Sequence, residues 1–230
     1  YMVSKLALNP EHPGSRFTIG SLETLKGDVK ADLIDFFAEH YSADQMGLVV
    51  LANQSLDELE ALVTPLFNQI PNNNIGPNYP TTQAFTDLQL PAVLTSRSLK
   101  DTYQLAFNFP IPSTLDVYRN KPESYLSNLI GHEGEGSLHH FLNEKGWIES
   151  LGSGSQDFDR NTSLMIVNIE LTEAGRAHVA EITDLLFQYF EMLRDQPPQD
   201  WLYQEQAKVA ELGFRLSLIH ISEPTRHRLI

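Results

Sequence analysis

Ten residues in the first half of the chain, Pro71-Asn-Asn-Asn-Ile-Gly-Pro-Asn-Tyr-Pro80, cannot form the interior of a helix or a central strand. Proline removes backbone donors and fixes φ, while glycine and asparagine tolerate the left-handed region, so the stretch predicts a linker that separates a leading part of the chain from a longer following part. Ahead of it, Leu33, Phe36, Phe37 and Tyr41 recur at helical spacing, and Gly47-Leu-Val-Val-Leu-Ala-Asn53 is a nearly all-apolar run. This predicts a helix followed by a buried strand. Ser55 with Glu58 three residues on forms a capping box, behind which Leu59, Leu62, Val63, Leu66, Phe67 and Ile70 continue an apolar stripe, predicting a second helix.

Beyond the linker, Tyr103, Leu105, Phe107 and Phe109 alternate with Gln104, Ala106 and Asn108, the period of a strand with one polar face. Pro122 suits the first turn of a helix carrying Tyr125, Leu126, Leu129 and Ile130, and Leu138, Phe141 and Leu142 mark another after a glycine-rich interruption. Leu164 to Leu171 predicts a strand. Thr172 is placed to cap the helix bearing Val179, Ile182, Leu185, Leu186, Tyr189, Phe190 and Leu193. Pro197-Pro198 breaks the chain before a last helix over Trp201 to Phe214. Strands mixed with long helices predict an α+β architecture, with helices layered on a sheet.

Charge narrows the partners. With 16 Lys and Arg against 30 Asp and Glu, the formal net charge is −14. That field disfavours nucleic acid and anionic membrane surfaces, and favours a cationic peptide or a basic neighbouring domain. No cysteine is present, so any metal would need His, Asp or Glu. No apolar run approaches the roughly 20 residues of a membrane span, and Tyr1-Met2-Val3-Ser4 does not open a basic segment followed by an apolar stretch. The native N-terminus is expected upstream of Tyr1.

Three runs resemble the insulinase/pitrilysin family of zinc metallopeptidases: Asn9-Pro-Glu-His-Pro-Gly-Ser-Arg-Phe17, Leu129-Ile-Gly-His-Glu-Gly-Glu-Gly-Ser-Leu138, and Lys145-Gly-Trp147 leading into Leu151-Gly-Ser-Gly154. Their order and spacing also fit, and similar features run through Phe109-Pro-Ile-Pro112 and Leu171-Thr-Glu173 to Phe214-Arg215. The resemblance implies two similar layered domains of the LuxS/insulinase-like α+β sandwich, each a mixed β-sheet packed against helices. Residues 1–74 would be the C-terminal part of the first, catalytic-type domain, and residues 75–215 the second, metal-free one. It further implies a parent that is a zinc metalloendopeptidase acting on peptides in a closed chamber, with peptide substrates and the remaining domains of the same chain as partners. A periplasmic or secreted location comes with the resemblance alone.

The family's zinc motif, H-x-x-E-H with a downstream Glu, is not assignable here. His132-Glu-Gly-Glu-Gly136 is an approximate hit in which Gly136 occupies the position of the second His, and it fails H-E-x-x-H at the same place. His132, Glu133, Glu135, His139 and His140 offer donors within nine positions, with Glu135 and His139 four apart on a helix. Gly134 and Gly136 argue against a rigid helix holding them, and no metal site is assigned. Zinc is expected in the parent but not on this segment.

For the same glycine-rich turn the resemblance implies another role. In insulinase-like enzymes it joins a neighbouring edge strand to form an exosite, remote from zinc, that holds the N-terminal end of a peptide. Carried over by position, this points to Gly131 and Glu133 in the turn and to Leu151, Gly152, Ser153 and Gly154 in the strand. Asn128 departs from a His common in close relatives. The residues suit the role: small side chains let another backbone pair as an added strand, and Glu133 can accept from a peptide ammonium. The bland alternative is that these glycines make only a bulge and a turn. His12, beside Pro13, reads as a structural turn residue.

Leu216-Ser-Leu-Ile-His-Ile-Ser-Glu-Pro-Thr-Arg226 resembles the translated end of a transposase sequencing adapter. Arg215 is then expected to be the last native residue and 216–230 a non-native tail. The functional expectation is a wall and exosite segment of a zinc metalloendopeptidase, inactive as an isolated chain. The rival expectation is a catalytically silent homologue serving as a binding or assembly subunit.

Overall fold

The computed structural model describes residues 3–77, 79–88, 90–98 and 101–216. Apart from Leu216, the expected non-native tail lies outside the described residues. The chain divides into two compact units, Tyr1–Thr95 and Ser96–Ile230, with the Pro71–Pro80 stretch inside the first.

In the first unit, α1 (Val29–His40) starts where the Asp28 carboxylate accepts from the Lys30 amide at 3.2 Å, and its last turn sets the His40 ring against Phe36 at 4.4 Å, tilted by 54°. The second helix, α2 (Leu56–Phe67), begins with the expected capping box. Ser55 Oγ accepts from the Glu58 amide at 3.4 Å, while Glu58 Oε2 accepts from the Ser55 amide at 2.9 Å and from the Ser55 hydroxyl at 2.8 Å, and these last two bonds lower the Glu58 carboxyl from its ordinary value. The turn-rich stretch after α2 is tied back by three amides. Ala43 donates to the Pro71 carbonyl at 3.0 Å, Asn73 to Ser42 Oγ at 2.8 Å and Gly76 to Asp44 Oδ2 at 2.9 Å. His12 caps a short turn, its Nδ1 accepting from the Gly14 amide at 3.0 Å, which matches the structural role read for it.

The expected buried strand over Gly47–Asn53 is not formed. The run has no ladder partner among the described residues, and Val49 and Leu51 are 93% and 86% exposed. An apolar run supplies the propensity for a strand, but a strand also needs a neighbour to receive its backbone hydrogen bonds.

The second unit is a three-stranded antiparallel sheet with helices, ordered β1 (Tyr103–Pro112), β3 (Thr162–Leu171), β2 (Ile148–Asp157). Tyr103, Leu105, Phe107 and Phe109 of β1 lie opposite Leu171, Ile169, Val167 and Met165 of β3, so the alternation read from the sequence selects one face. That face packs under α3 (Pro122–Ile130), α4 (Leu138–Glu144) and α5 (Val179–Arg194), with Leu142, Val167, Ile182 and Leu186 fully buried. Each fully buried aliphatic side chain contributes roughly 1.5–3 kcal/mol. The last helix, α6 (Asp200–Arg215), follows Pro197-Pro198, and the Gln199 amide just before it donates to Tyr125 Oη on α3 at 2.9 Å. The α+β class expected from the sequence is the class observed.

Thr172 does not cap α5 directly. Its Oγ1 accepts from the Gly175 amide at 3.0 Å and so starts a short 3-10 turn, Gly175–His178, which leads into α5. Gly175, the first residue of this turn, packs directly against the Trp147 backbone.

Candidate functional site

The two segments singled out in the sequence meet where α3 ends. Ile130, the last residue of α3, is buried in the core, and Gly131 closes the helix by donating its amide to the Ser127 carbonyl at 2.9 Å. A Cβ built on Gly131 would stand 3.2 Å from Ser153 N and 3.1 Å from Ser127 O. A side chain here would be tight against both backbones, so glycine favours the close approach, whereas the backbone angles do not call for it, since φ is −86°. The approach places the glycine-rich turn directly against β2.

Past Gly131 the chain makes an exposed turn. The His132 ring folds over Gly134, where an added Cβ would meet Nε2 at 2.6 Å, and Gly136 takes φ +83°. Ser137 then caps α4, its Oγ accepting from the His140 amide at 3.1 Å. Glu133 projects from this turn, exposed and with no hydrogen bond or ion pair among the described residues. A carboxylate at an exposed turn without an internal partner is free to accept from an external ammonium.

Strand β2 is an edge: it pairs with β3 on one side and with no strand on the other among the described residues. Leu151 faces the core at 3% exposure, opposite Ile169. Gly152 and Gly154, opposite Asn168 and Ile166, project to the other face, where a Cβ would meet nothing within 4 Å. Ser153 anchors the strand by donating Oγ–H to the Ile166 carbonyl at 3.1 Å. An unpaired edge with open glycines is the structural requirement for accepting an added strand.

Gly131 and Ser153 are thus brought into contact, Glu133 stands at the exposed turn, Leu151 serves the core, and Gly152 and Gly154 keep the strand open. Sequence reasoning missed Ser127, whose carbonyl closes α3 onto Gly131; its signal is the spacing of four residues. It also set Glu135 and His139 on one helical face. Instead α4 begins at Leu138, leaving Glu135 in the preceding turn, while His140 pairs with Glu144 at 3.6 Å. Among the described residues no group of three or more His, Asp or Glu is placed to hold a metal ion, so the donors here do not fit zinc.

A three-stranded antiparallel sheet under helices, with a glycine-containing edge strand beside a helix-ending turn, defines a module of α+β type. Residues 28–209 match the family model described as "Peptidase M16 inactive domain". Insulin-degrading enzyme of Homo sapiens is 36% identical over 223 residues, which is 94% of this chain and 22% of that protein. Insulin-degrading enzyme-like 1, peroxisomal, of Arabidopsis thaliana is 36% identical over 212 residues, 89% of this chain and 22% of that protein. The crystal structure of pitrilysin superposes with a TM-score of 0.84 at 28% identity, covering 94% of this chain and 24% of that one. The chain belongs to the M16, insulinase/pitrilysin family of peptidases, and it spans about a fifth of the length of the curated relatives it matches.

Proposed function

We propose that this chain is the wall and substrate-anchoring exosite of a zinc-dependent metalloendopeptidase. Residues 1–74 would close a first, catalytic-type domain and residues 75–215 would form the second, metal-free one. The chain orients a peptide: its free ammonium meets Glu133, its first residues add as a strand to β2 along Leu151 to Gly154, and Gly131 keeps turn and strand in register. The residues of this chain would not hold the parent's zinc, and the Lewis-acid chemistry of hydrolysis would come from outside this segment. Anchoring one end of a flexible peptide lowers the entropic cost of presenting its scissile bond. The observation that most supports the reading is the apposition of Gly131 and Ser153, with Glu133 unpartnered beside an open strand edge.

The test compares a short peptide bearing a free N-terminus with its N-acetylated form, titrated against the chain and against Glu133→Gln. Acetylation and the substitution should each weaken binding about tenfold, and together no further, as expected for losing one charge-assisted hydrogen bond. Equal affinity of the free and acetylated peptides would remove the exosite reading. No hydrolysis of the peptide is expected from the chain with or without added zinc; chelator-sensitive cleavage would place the chemistry in this segment instead.

A further inference from the structure

The C-terminal end of α4, the residues entering β2 and one face of α5 border an open groove of about 310 Å³ whose walls include Phe141, Lys145, Trp147, Glu181, Asp184 and Gln188. A cation of the chain itself lies in it. Lys145 Nζ sits 4.9 Å from the Phe141 ring centroid and 4.9 Å from that of Trp147. It forms no ion pair among the described residues, although two carboxylates line the same groove. The aromatic faces hold the ammonium instead.

The remaining walls are ordered for a second polar contact. The His178 ring stacks on Trp147 at 4.2 Å and 12°, and its Nδ1 is 2.6 Å from Glu181 Oε1, so the indole plane is fixed from α5. Asp184, three residues after Glu181 and on the same helical face, has no partner among the described residues. Two aromatic rings, Phe141 and the His178-stacked indole of Trp147, and the unengaged Asp184 carboxylate form an incomplete cage for a cation.

We propose that this groove receives an arginine side chain of a bound peptide, with Lys145 as the resident stand-in that the guest displaces. A guanidinium suits the cage better than an ammonium. It is planar, weakly hydrated, stacks on indole, and can direct its fork at a carboxylate such as Asp184. The net charge of −14 draws cationic peptides toward the surface. None of the anchoring residues contributes, so this site stands or fails apart from the exosite.

With two tryptophans in the chain, Trp201→Phe leaves Trp147 as the sole indole reporter. N-acetyl-arginine amide, titrated against that variant, should change Trp147 fluorescence saturably, while the neutral isostere N-acetyl-citrulline amide should not. In the same background Lys145→Ala should tighten the arginine Kd about threefold by emptying the cage, and Asp184→Asn should weaken it about tenfold. Lys208→Ala, an equal charge change outside the groove, and Glu133→Gln should leave it unchanged. Citrulline binding as well as arginine, Lys208→Ala matching Lys145→Ala, or a Kd indifferent to Asp184→Asn would each overturn the proposal.

Discussion

Gly131 lies against the backbone of Ser153, close enough that a side chain at the first would stand 3.2 Å from the amide nitrogen of the second. Because φ and ψ there are −86° and 8°, alanine meets no backbone strain, and Gly131→Ala tests space alone. Both contacting atoms belong to backbone, one in α3 and one in β2, so neither can swing aside. The expected loss is about 1–3 kcal/mol by chemical denaturation, the usual cost of overpacking. Free-amine peptide affinity should fall with it, since β2 must shift. An unchanged midpoint would mean that the turn and the strand are not in contact.

Gly175 is a more severe case. A Cβ on it would overlap the Trp147 carbonyl oxygen, which already accepts from the Thr172 amide at 3.0 Å. Gly175→Ala must break this junction between the start of β2, the end of β3 and the turn into α5. A loss of about 3 kcal/mol or more is expected, with cooperative unfolding of the second unit at lower denaturant. A thermal or urea midpoint within error of the parent chain would refute the packing.

Asp44 gives the first unit an acid-sensitive tie. Its carboxyl is lowered from 3.8 to about 2, first by Ser42 Oγ–H, then by Gln45 Nε2, then by the Gly76 amide. The folded value lies below the unfolded one, so the contribution is fully present above about 3.8 and is lost as pH falls toward about 2. Denaturation of the chain and of Asp44→Asn across that range should show a gap in midpoint that closes on acidification. A gap of constant size from neutral to acid pH would mean that the carboxylate does not hold the 71–80 stretch.

These ties show why local features were legible in the sequence and longer-range ones were not. Ser55 with Glu58, Pro122 at the head of α3, and the alternation from Tyr103 to Phe109 are set by neighbours within a few residues, and the structure reproduces each. Gly47–Asn53 has an equally clear apolar pattern, but a ladder is a property of two segments and none receives it among the described residues. Thr172 was a correct cap assigned to the wrong turn, because the approach of Gly175 to Trp147 links positions 28 residues apart. The proposed anchoring residues were singled out only through the resemblance of Leu129 to Leu138 and Leu151 to Gly154 to known family motifs. Periodicity alone reads those glycines as a bulge and a turn. The cage around Lys145 left no sequence signal, since Phe141, Trp147 and Asp184 converge from three elements.

Gly152 and Gly154 allow packing to be told apart from the proposed peptide contact. A Cβ at either would meet nothing within 4 Å, so neither is needed for packing, in contrast to Gly131 and Gly175. Gly152→Ala and Gly154→Ala should therefore leave stability unchanged or raise it by about 0.4–1 kcal/mol, because alanine restricts the unfolded chain. If an incoming peptide pairs along this edge, methyl groups on the open face would crowd its side chains, and the double variant should bind the free-amine peptide several-fold more weakly. Stability and binding would then move in opposite directions, a pattern that a purely structural bulge cannot produce. Loss of stability would instead mark these glycines as packing residues, and undiminished binding by a stable double variant would place the peptide elsewhere on the module.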